Sequence, residues 1–376
     1  MKTTILHLVA VSMVCLVQTP AVSASELPDG YWNLEEASEI LDRTRHVDLE
    51  SDLAGLSAGE KAAVTKLLLA GRLLNAVYED SLHAEALSSL EELQLLDDGS
   101  KRTRALSDLY YLFKGPIATT PDNQRVAFLP VSPTQAGKNV YPAALSREEL
   151  DVFLQQHPGQ RSELLNSRTV VRANTAQNLA RDLEMLARYP LLDGLHPDLR
   201  SRLEDLRSGA SNPPWYALPY SVRWAPRIMD VYGLLLGAAE DVRQDDPDLA
   251  AYLGLRARDL VSDDYEGGDA AWVRGQFGNL NAQIGSYETY DDALYGVRSF
   301  FSLSVLRRDE EKSRELAAAI GDIQAIQDSL PQTQSRKVAD NIPIGVYNVI
   351  ADFGQSRSAN TASILPNDAN HARKYG

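Results

Sequence analysis

The sequence predicts a predominantly helical α+β protein with a small β-structure. Capping signals precede several segments whose apolar residues recur at helical spacing. Runs of β-branched and aromatic residues are short and few, and they do not alternate with helices as β-α units do. At 376 residues the chain exceeds the usual length of a single core, so two lobes are expected.

Two helices carry the clearest start signals. Ser57 and Glu60 form a capping box ahead of the segment 57–80, and Ser146 and Glu149 repeat it at 146–157. The other predicted helices span 83–96, 174–189, 197–207, 226–243, 247–261 and 311–330.

Strand signals are sparser. Segments 125–131, 168–173, 342–353 and 361–365 combine β-branched and aromatic residues over short stretches. We expect the first, third and fourth of these to form a minor sheet. The proline-rich stretch 114–142 predicts largely irregular structure.

The N-terminus is typical of a secretory signal peptide, predicted to span residues 1–24. Lys2 precedes the apolar run 5–17, and small residues stand at Ser23 and Ala24. A transmembrane anchor is the alternative, but the run falls short of the roughly 20 residues that span a bilayer. We therefore expect an exported protein, periplasmic or secreted, without a transmembrane anchor after cleavage.

Residues 25–376 are expected to form one region after the signal peptide. It divides into a helical part at 31–113, the irregular part at 114–142 and a mixed helix and strand part at 143–376. The formal net charge of −15 argues against nucleic acid and anionic membrane as partners, because both would be repelled.

Motifs for complete catalytic machinery are absent from the sequence. It has no dinucleotide-binding glycine motif, no P-loop, no nucleophile elbow and no H-E-x-x-H pair. The single cysteine, Cys15, lies in the predicted signal peptide, so the mature chain has no thiolate ligand. We expect no zinc to be bound by this chain.

The segment IGSYETYDDALYG, residues 284–296, has the most informative composition. In an extended segment Glu288 and Tyr290 face the same side, where the carboxylate suits a ligand ammonium and the phenol suits a carbonyl or oxyanion. The alternative is an ordinary loop in which Asp291 and Asp292 cap a following helix at 293–308.

This segment resembles the Ile-Gly-x-x-Glu-[Ser/Thr]-Tyr-x-Asp signature of the dipeptidyl-peptidase III family of zinc metallopeptidases. The similarity is greatest to the branch with bacterial members and plant proteins fused to a Nudix domain, and it runs from about residue 57 to the C-terminus. Further matching stretches, in the same order, lie at 138–154, 217–224, 253–273 and 361–368.

The resemblance implies the substrate-binding part of a two-lobed hydrolase that releases dipeptides from peptide N-termini. It implies that Glu288 binds the peptide α-amino group and that Tyr290 is catalytic, donating a hydrogen bond to the scissile carbonyl. Asn367 matches a family asparagine that holds the same end of the peptide. The family's cofactor is zinc, held by an H-E-x-x-[G]-H helix and a further glutamate.

Two departures from the family pattern stand out. Ile364 occupies the position of a second substrate-binding asparagine, and the chain ends at Gly376 before the region of the zinc helix. We therefore expect a peptide-binding portion without its metal centre, either an incomplete copy of a longer enzyme or a remnant. The alternative is a non-catalytic helical peptide-binding or interaction protein of the cell envelope.

Overall fold

The computed structural model describes residues 27–47, 51–321, 323–331, 337, 345–358 and 369–375. The predicted signal peptide, the predicted strand at 361–365, and the positions of Ile364 and Asn367 lie outside the described residues. Among the described helices, none is long and apolar enough to cross a membrane.

Helices dominate the described structure, which confirms the α+β class. Helices α1 to α16 span, in chain order, Leu34–Leu41, Ala58–Leu82, Ala86–Leu95, Lys101–Phe113, Arg147–Gln156, Arg161–Leu164, Ala176–Arg188, Pro190–Leu195, Leu199–Ser208, Tyr220–Arg223, Ala225–Val242, Pro247–Ser262, Glu266–Arg274, Glu310–Ala319, Ile323–Ser329 and Ala369–Tyr375.

Both predicted capping boxes form. The Ser57 N–H donates to Glu60 Oε2 at 2.7 Å, and the Glu60 N–H donates to Ser57 Oγ at 3.0 Å. Ser146 and Glu149 make the same reciprocal pair at 2.9 and 3.1 Å. Each box satisfies N–H groups that have no partner within the first helical turn. The predicted helix at 311–330 divides into α14 and α15.

The strands form three antiparallel sheets within the described residues. Strands β1 to β7 span Ile117–Thr119, Arg125–Ala127, Thr169–Ala173, Trp215–Pro219, Leu280–Ser286, Phe301–Asp309 and Val346–Gly354. Strand β1 pairs with β2, β3 pairs with β4, and β6 lies between β5 and β7.

The prediction of one minor sheet shared by 125–131 and 342–353 is wrong. Strand β2 instead pairs with β1, its neighbour in sequence, and both lie in the stretch 114–142 that was expected to be largely irregular. Strand β7 pairs with β6, which occupies much of the segment 293–308 expected to be helical. In β6, Phe301, Leu303 and Val305 alternate along one face, the period of a strand.

The larger of two hydrophobic clusters holds the helices and the three-stranded sheet together. Helix α2 packs against α11, β6 and β7, and α11 packs against α12. A smaller cluster joins α1 to α4 around Phe128. The three-stranded sheet is thus backed by α2, which packs on β6 and β7.

The contact of α2 with β7 requires a glycine. A Cβ on Gly71 would stand 2.2 Å from the ring of Phe353, whereas a Cβ on Gly254 in α12 would meet nothing within 4 Å. We predict that Gly71→Ala lowers the free energy of unfolding by about 1–3 kcal/mol through overpacking. The control Gly254→Ala should raise it by about 0.5–1 kcal/mol through helix propensity. Urea denaturation of both variants checks this, and equal stabilisation by the two would contradict the packing described.

Candidate functional site

The signature segment becomes the connection between β5 and β6. We refer to residues 287–300 as the β5–β6 loop. Its base is closed by the N–H of Phe300, which donates to the carbonyl of Glu288 at 3.2 Å. The loop therefore leaves one strand of the three-stranded sheet and returns directly to the next.

Glu288 and Tyr290 both lie on the exposed side of this loop. The Tyr290 side chain is 69% exposed, and Glu288 is also exposed. Partial burial, followed by the carboxylates of Glu288 and Asp291, raises the pKa of Tyr290. Since a phenol ordinarily has a pKa of about 10, Tyr290 is protonated at neutral pH and is a hydrogen-bond donor beside a negative charge.

Asp292 gives the loop its shape. Its Oδ1 accepts the N–H groups of Leu294 and Tyr295 at 3.1 and 3.0 Å, and its Oδ2 accepts those of Val297 and Arg298 at 3.0 and 2.9 Å. One carboxylate therefore satisfies four backbone donors, while the Gly296 N–H donates to the Asp292 carbonyl at 3.0 Å in a single helical-type turn. The expectation that Asp292 caps a helix at 293–308 is wrong.

The Asp292 carboxylate is charged and buried. The Tyr141 hydroxyl adds a hydrogen bond to Oδ2 at 2.9 Å. Burial alone would raise the pKa of Asp292, but the N–H donors of Arg298, Tyr295 and Val297, with Tyr141, outweigh it and hold the pKa below its ordinary value.

Asp291 fastens the exposed part of the loop to three other segments. Its carboxylate accepts the Tyr78 hydroxyl at 2.9 Å, the Gln355 amide at 2.7 Å and the Lys138 ammonium at 3.3 Å. Burial lowers the pKa of Lys138, and the Asp291 carboxylate opposes that shift. Helix α2, the segment near residue 138 and the chain after β7 therefore meet next to Tyr290.

Arg298 anchors the returning half of the loop. Its side chain is fully buried, and the guanidinium donates to the carbonyls of Leu164 and Asn166 and to Thr169 Oγ1 at 3.1 Å. The neighbouring Ser299 N–H donates to the Ser167 carbonyl at 3.0 Å. These bonds tie the loop to the start of β3.

The bracing residues, unlike Glu288 and Tyr290, were not recognised as such from the sequence. The sequence pattern indicates Asp291 and Asp292 only as caps of a following helix. The alternation of Phe301, Leu303 and Val305 was the available signal, since it indicates a strand and hence a loop before it. Of the three predicted peptide-binding residues, Glu288 and Tyr290 have a described position, and Asn367 lies outside the described residues.

An open cleft lies elsewhere on the molecule. It has a volume of about 220 Å³ and lies between α6, α9 and β4, with Leu164, Leu203 and Trp215 among its lining residues. Leu164 is its link to the β5–β6 loop, through the carbonyl that Arg298 contacts. Neither Glu288 nor Tyr290 is among its lining residues. The cleft and the predicted site residues therefore lie at different places on the molecule. We give more weight to the loop because it presents an exposed carboxylate and an exposed phenol.

Zinc, which the resemblance implies, finds no ligand set in the described part of the chain. No three His, Cys, Asp or Glu side chains there stand close enough to share a metal ion. Among the histidines, His196 contacts Ser221 Oγ at 2.8 Å, and His83 contacts the Ser132 carbonyl at 2.9 Å. In both contacts a ring nitrogen that could bind a metal is instead hydrogen-bonded to a protein oxygen.

No protein-family model matches the chain. Among curated proteins, Nudix hydrolase 3 of Arabidopsis thaliana is 23% identical over an alignment of 371 residues, and the alignment covers 89% of this chain and 45% of the relative. The relation to the Nudix-fused plant branch agrees with the motifs.

Two solved structures share the fold. The dipeptidyl-peptidase III of Caldithrix abyssi has a TM-score of 0.69 at 21% identity, covering 88% of this chain and 56% of that one. The enzyme of Corallococcus sp. strain EGB has a TM-score of 0.70 at 23% identity, covering 91% and 57%. The dipeptidyl-peptidase III fold is thereby confirmed, and this chain spans about half the length of the relatives it matches.

The role of Asp292 generates a pH-dependent prediction. Its folded pKa is depressed, so its contribution to stability is present above the unfolded pKa of about 3.9 and is lost as the pH falls through the folded pKa. We predict that Asp292→Asn lowers the free energy of unfolding at pH 7 by about 1.5–3 kcal/mol. The difference from the wild type should shrink below about pH 4.

Chemical denaturation between pH 2.5 and 7 measures this difference. The control is Asp230→Asn, at an exposed position of α11, which should change little at any pH. A destabilisation by Asp292→Asn that is the same at both ends of the range would show that its charge does not hold the loop.

Proposed function

We propose that this protein binds the N-terminal end of an extended peptide at the β5–β6 loop. This would be the substrate-binding part of a dipeptidyl-peptidase III-type hydrolase, which releases dipeptides from peptide N-termini. The observation that carries the proposal is the loop itself. Glu288 and Tyr290 are exposed on this loop, and hydrogen bonds of Asp291, Asp292 and Arg298 fasten the loop to the rest of the protein.

The two exposed side chains have complementary roles. The Glu288 carboxylate would accept hydrogen bonds from the peptide α-ammonium group, a charge-assisted contact. The Tyr290 hydroxyl would donate to a peptide carbonyl, and in hydrolysis to the oxygen that becomes negative. A phenol of ordinary pKa, about 10, is protonated at neutral pH, and the raised pKa of Tyr290 leaves this state unchanged. Asn367 would hold the same end of the peptide.

Rigid bracing supports binding in preference to an incidental surface loop. A flexible loop would lose conformational entropy when it closes on a peptide, and this cost reduces affinity. Here the backbone from 292 to 298 is held by Asp292 before any ligand arrives. The backbone that follows Tyr290 is thus preorganised.

The electrostatic character of the protein supports a cationic ligand end. The chain carries a formal net charge of −15, and Glu288 and Asp291 stand on either side of Tyr290. Such a surface attracts a peptide ammonium group and raises its association rate.

Export is also part of the proposal. The apolar run 5–17 after Lys2 supports a cleaved signal peptide and a periplasmic or secreted protein. The exposed loop would then meet peptides outside the cytoplasm. The second candidate function, a non-catalytic peptide-binding protein, rests on the same loop and differs in the absence of turnover.

Peptide titration tests the proposal. Isothermal titration calorimetry of the wild type with tetra-alanine and with N-acetyl-tetra-alanine should show tighter binding of the free-amino form. Glu288→Gln should weaken binding of the free-amino peptide about tenfold, since a hydrogen bond to a charged group is lost. Binding of the acetylated peptide should change little.

The matched control is Glu91→Gln, an exposed glutamate in α3. It should leave both affinities unchanged. Equal affinity of the wild type for the two peptides, or equal losses for both in Glu288→Gln, would return the loop to an ordinary connection between strands.

A further inference from the structure

A second buried carboxylate lies behind the start of the β5–β6 loop. Asp269, in α13, is fully buried and accepts hydrogen bonds from three separate elements. They are Arg256 Nη2 of α12 at 2.8 Å, the hydroxyl of Tyr287, and His371 Nδ1 of α16 at 3.0 Å. A carboxylate buried this deeply stays charged only because such partners surround it.

Arg256 supplies the opposite charge. Its guanidinium is fully buried and lies 5.1–5.7 Å from the ring centroids of Tyr252, Tyr265 and Tyr287. It also contacts Asp259 at 3.0 Å. Burial raises and Arg256 lowers the pKa of Asp269, and with Tyr287 and His371 the net result lies below the ordinary value. Asp269 is therefore a fixed acceptor.

The two oxygens of Asp269 serve different segments. Oδ1 accepts from Arg256 and Tyr287, and Oδ2 faces His371. Tyr287 directly precedes Glu288 in the chain, and α16 begins two residues after Asn367. One carboxylate thus joins the segment that presents Glu288 to the helix that follows Asn367.

Each segment also has contacts of its own. Helix α16 is also held by Glu266, which contacts Lys374 and accepts the Tyr375 hydroxyl at 2.5 Å. Tyr287 also packs edge-on against Tyr265 at 5.6 Å. Within the described residues, Asp269 contacts both segments, through Tyr287 and through His371.

We propose that Asp269, backed by Arg256, is a positioning residue that couples the Glu288 segment to α16 and so sets the geometry in which a peptide N-terminus is bound. The effect on peptide binding rests on the proposed function. The coupling itself is a property of the fold and is measurable without any ligand.

Hydrogen–deuterium exchange read by mass spectrometry tests the coupling in the full chain. Asp269→Asn should speed exchange about tenfold in peptides covering both 287–293 and 369–375, because the shared acceptor loses its charge. The matched control is Glu266→Gln on the same helix, which should speed exchange at 369–375 alone. Faster exchange in one segment alone, or in neither, for Asp269→Asn would overturn the coupling.

If Asp269→Asn fails to fold, His371→Gln is the second test. This substitution leaves the buried ion pair between Asp269 and Arg256 intact. Exchange at 287–293 should still rise, although the substitution lies on another element. Unchanged exchange at 287–293 in this variant would refute the coupling.

Calorimetric titration with tetra-alanine tests the peptide part. Affinity should fall at least about fivefold in Asp269→Asn or His371→Gln and stay unchanged in Glu266→Gln. Wild-type affinity in the coupled variants would show that Asp269 does not position the peptide site. If the wild type itself does not bind tetra-alanine, the proposed function and the peptide part both fail, while the exchange data still decide the coupling.

Discussion

The geometry of the candidate site depends on the carboxylate of Asp292. Four backbone N–H groups and the Tyr141 hydroxyl converge on its two oxygens. A loop between two adjacent antiparallel strands has no ladder of its own to satisfy these donors, and unpaired buried N–H groups are costly. Because Asp292 meets this requirement internally, neighbouring residues can face solvent. Glu288 and Tyr290 are exposed on the part of the loop that precedes this braced backbone.

Buried charge recurs around the loop, and each instance is compensated. Arg298 donates to backbone carbonyls, Asp291 accepts from Lys138, and Asp269 pairs with Arg256. Removing one partner of such a group leaves an uncompensated charge in a medium of low dielectric, which costs several kcal/mol. Helices α2, α12, α13 and α16 each contribute a side chain to these groups.

The helices could be predicted from local signals, whereas the strands around the site could not. Ser57 with Glu60 and Ser146 with Glu149 specify helix starts through contacts within four residues. Strand β6 owes its conformation to pairing with β5 and β7, which lie far apart in sequence, and its run of apolar residues also suits a helix. Glu288 and Tyr290 were recognisable as chemical groups. Their bracing by Tyr78, Lys138 and Gln355 depends on contacts across the whole chain.

A crystal structure of the protein with bound tetra-alanine tests the central claim most directly. The account predicts the peptide α-amino nitrogen within about 3.2 Å of the Glu288 carboxylate and a peptide carbonyl in reach of the Tyr290 hydroxyl. The backbone of residues 292–298 should be unchanged from the free protein, because Asp292 already holds it. A peptide ordered instead in the cleft beside Leu203 and Trp215, with Glu288 and Tyr290 facing only solvent, would contradict it.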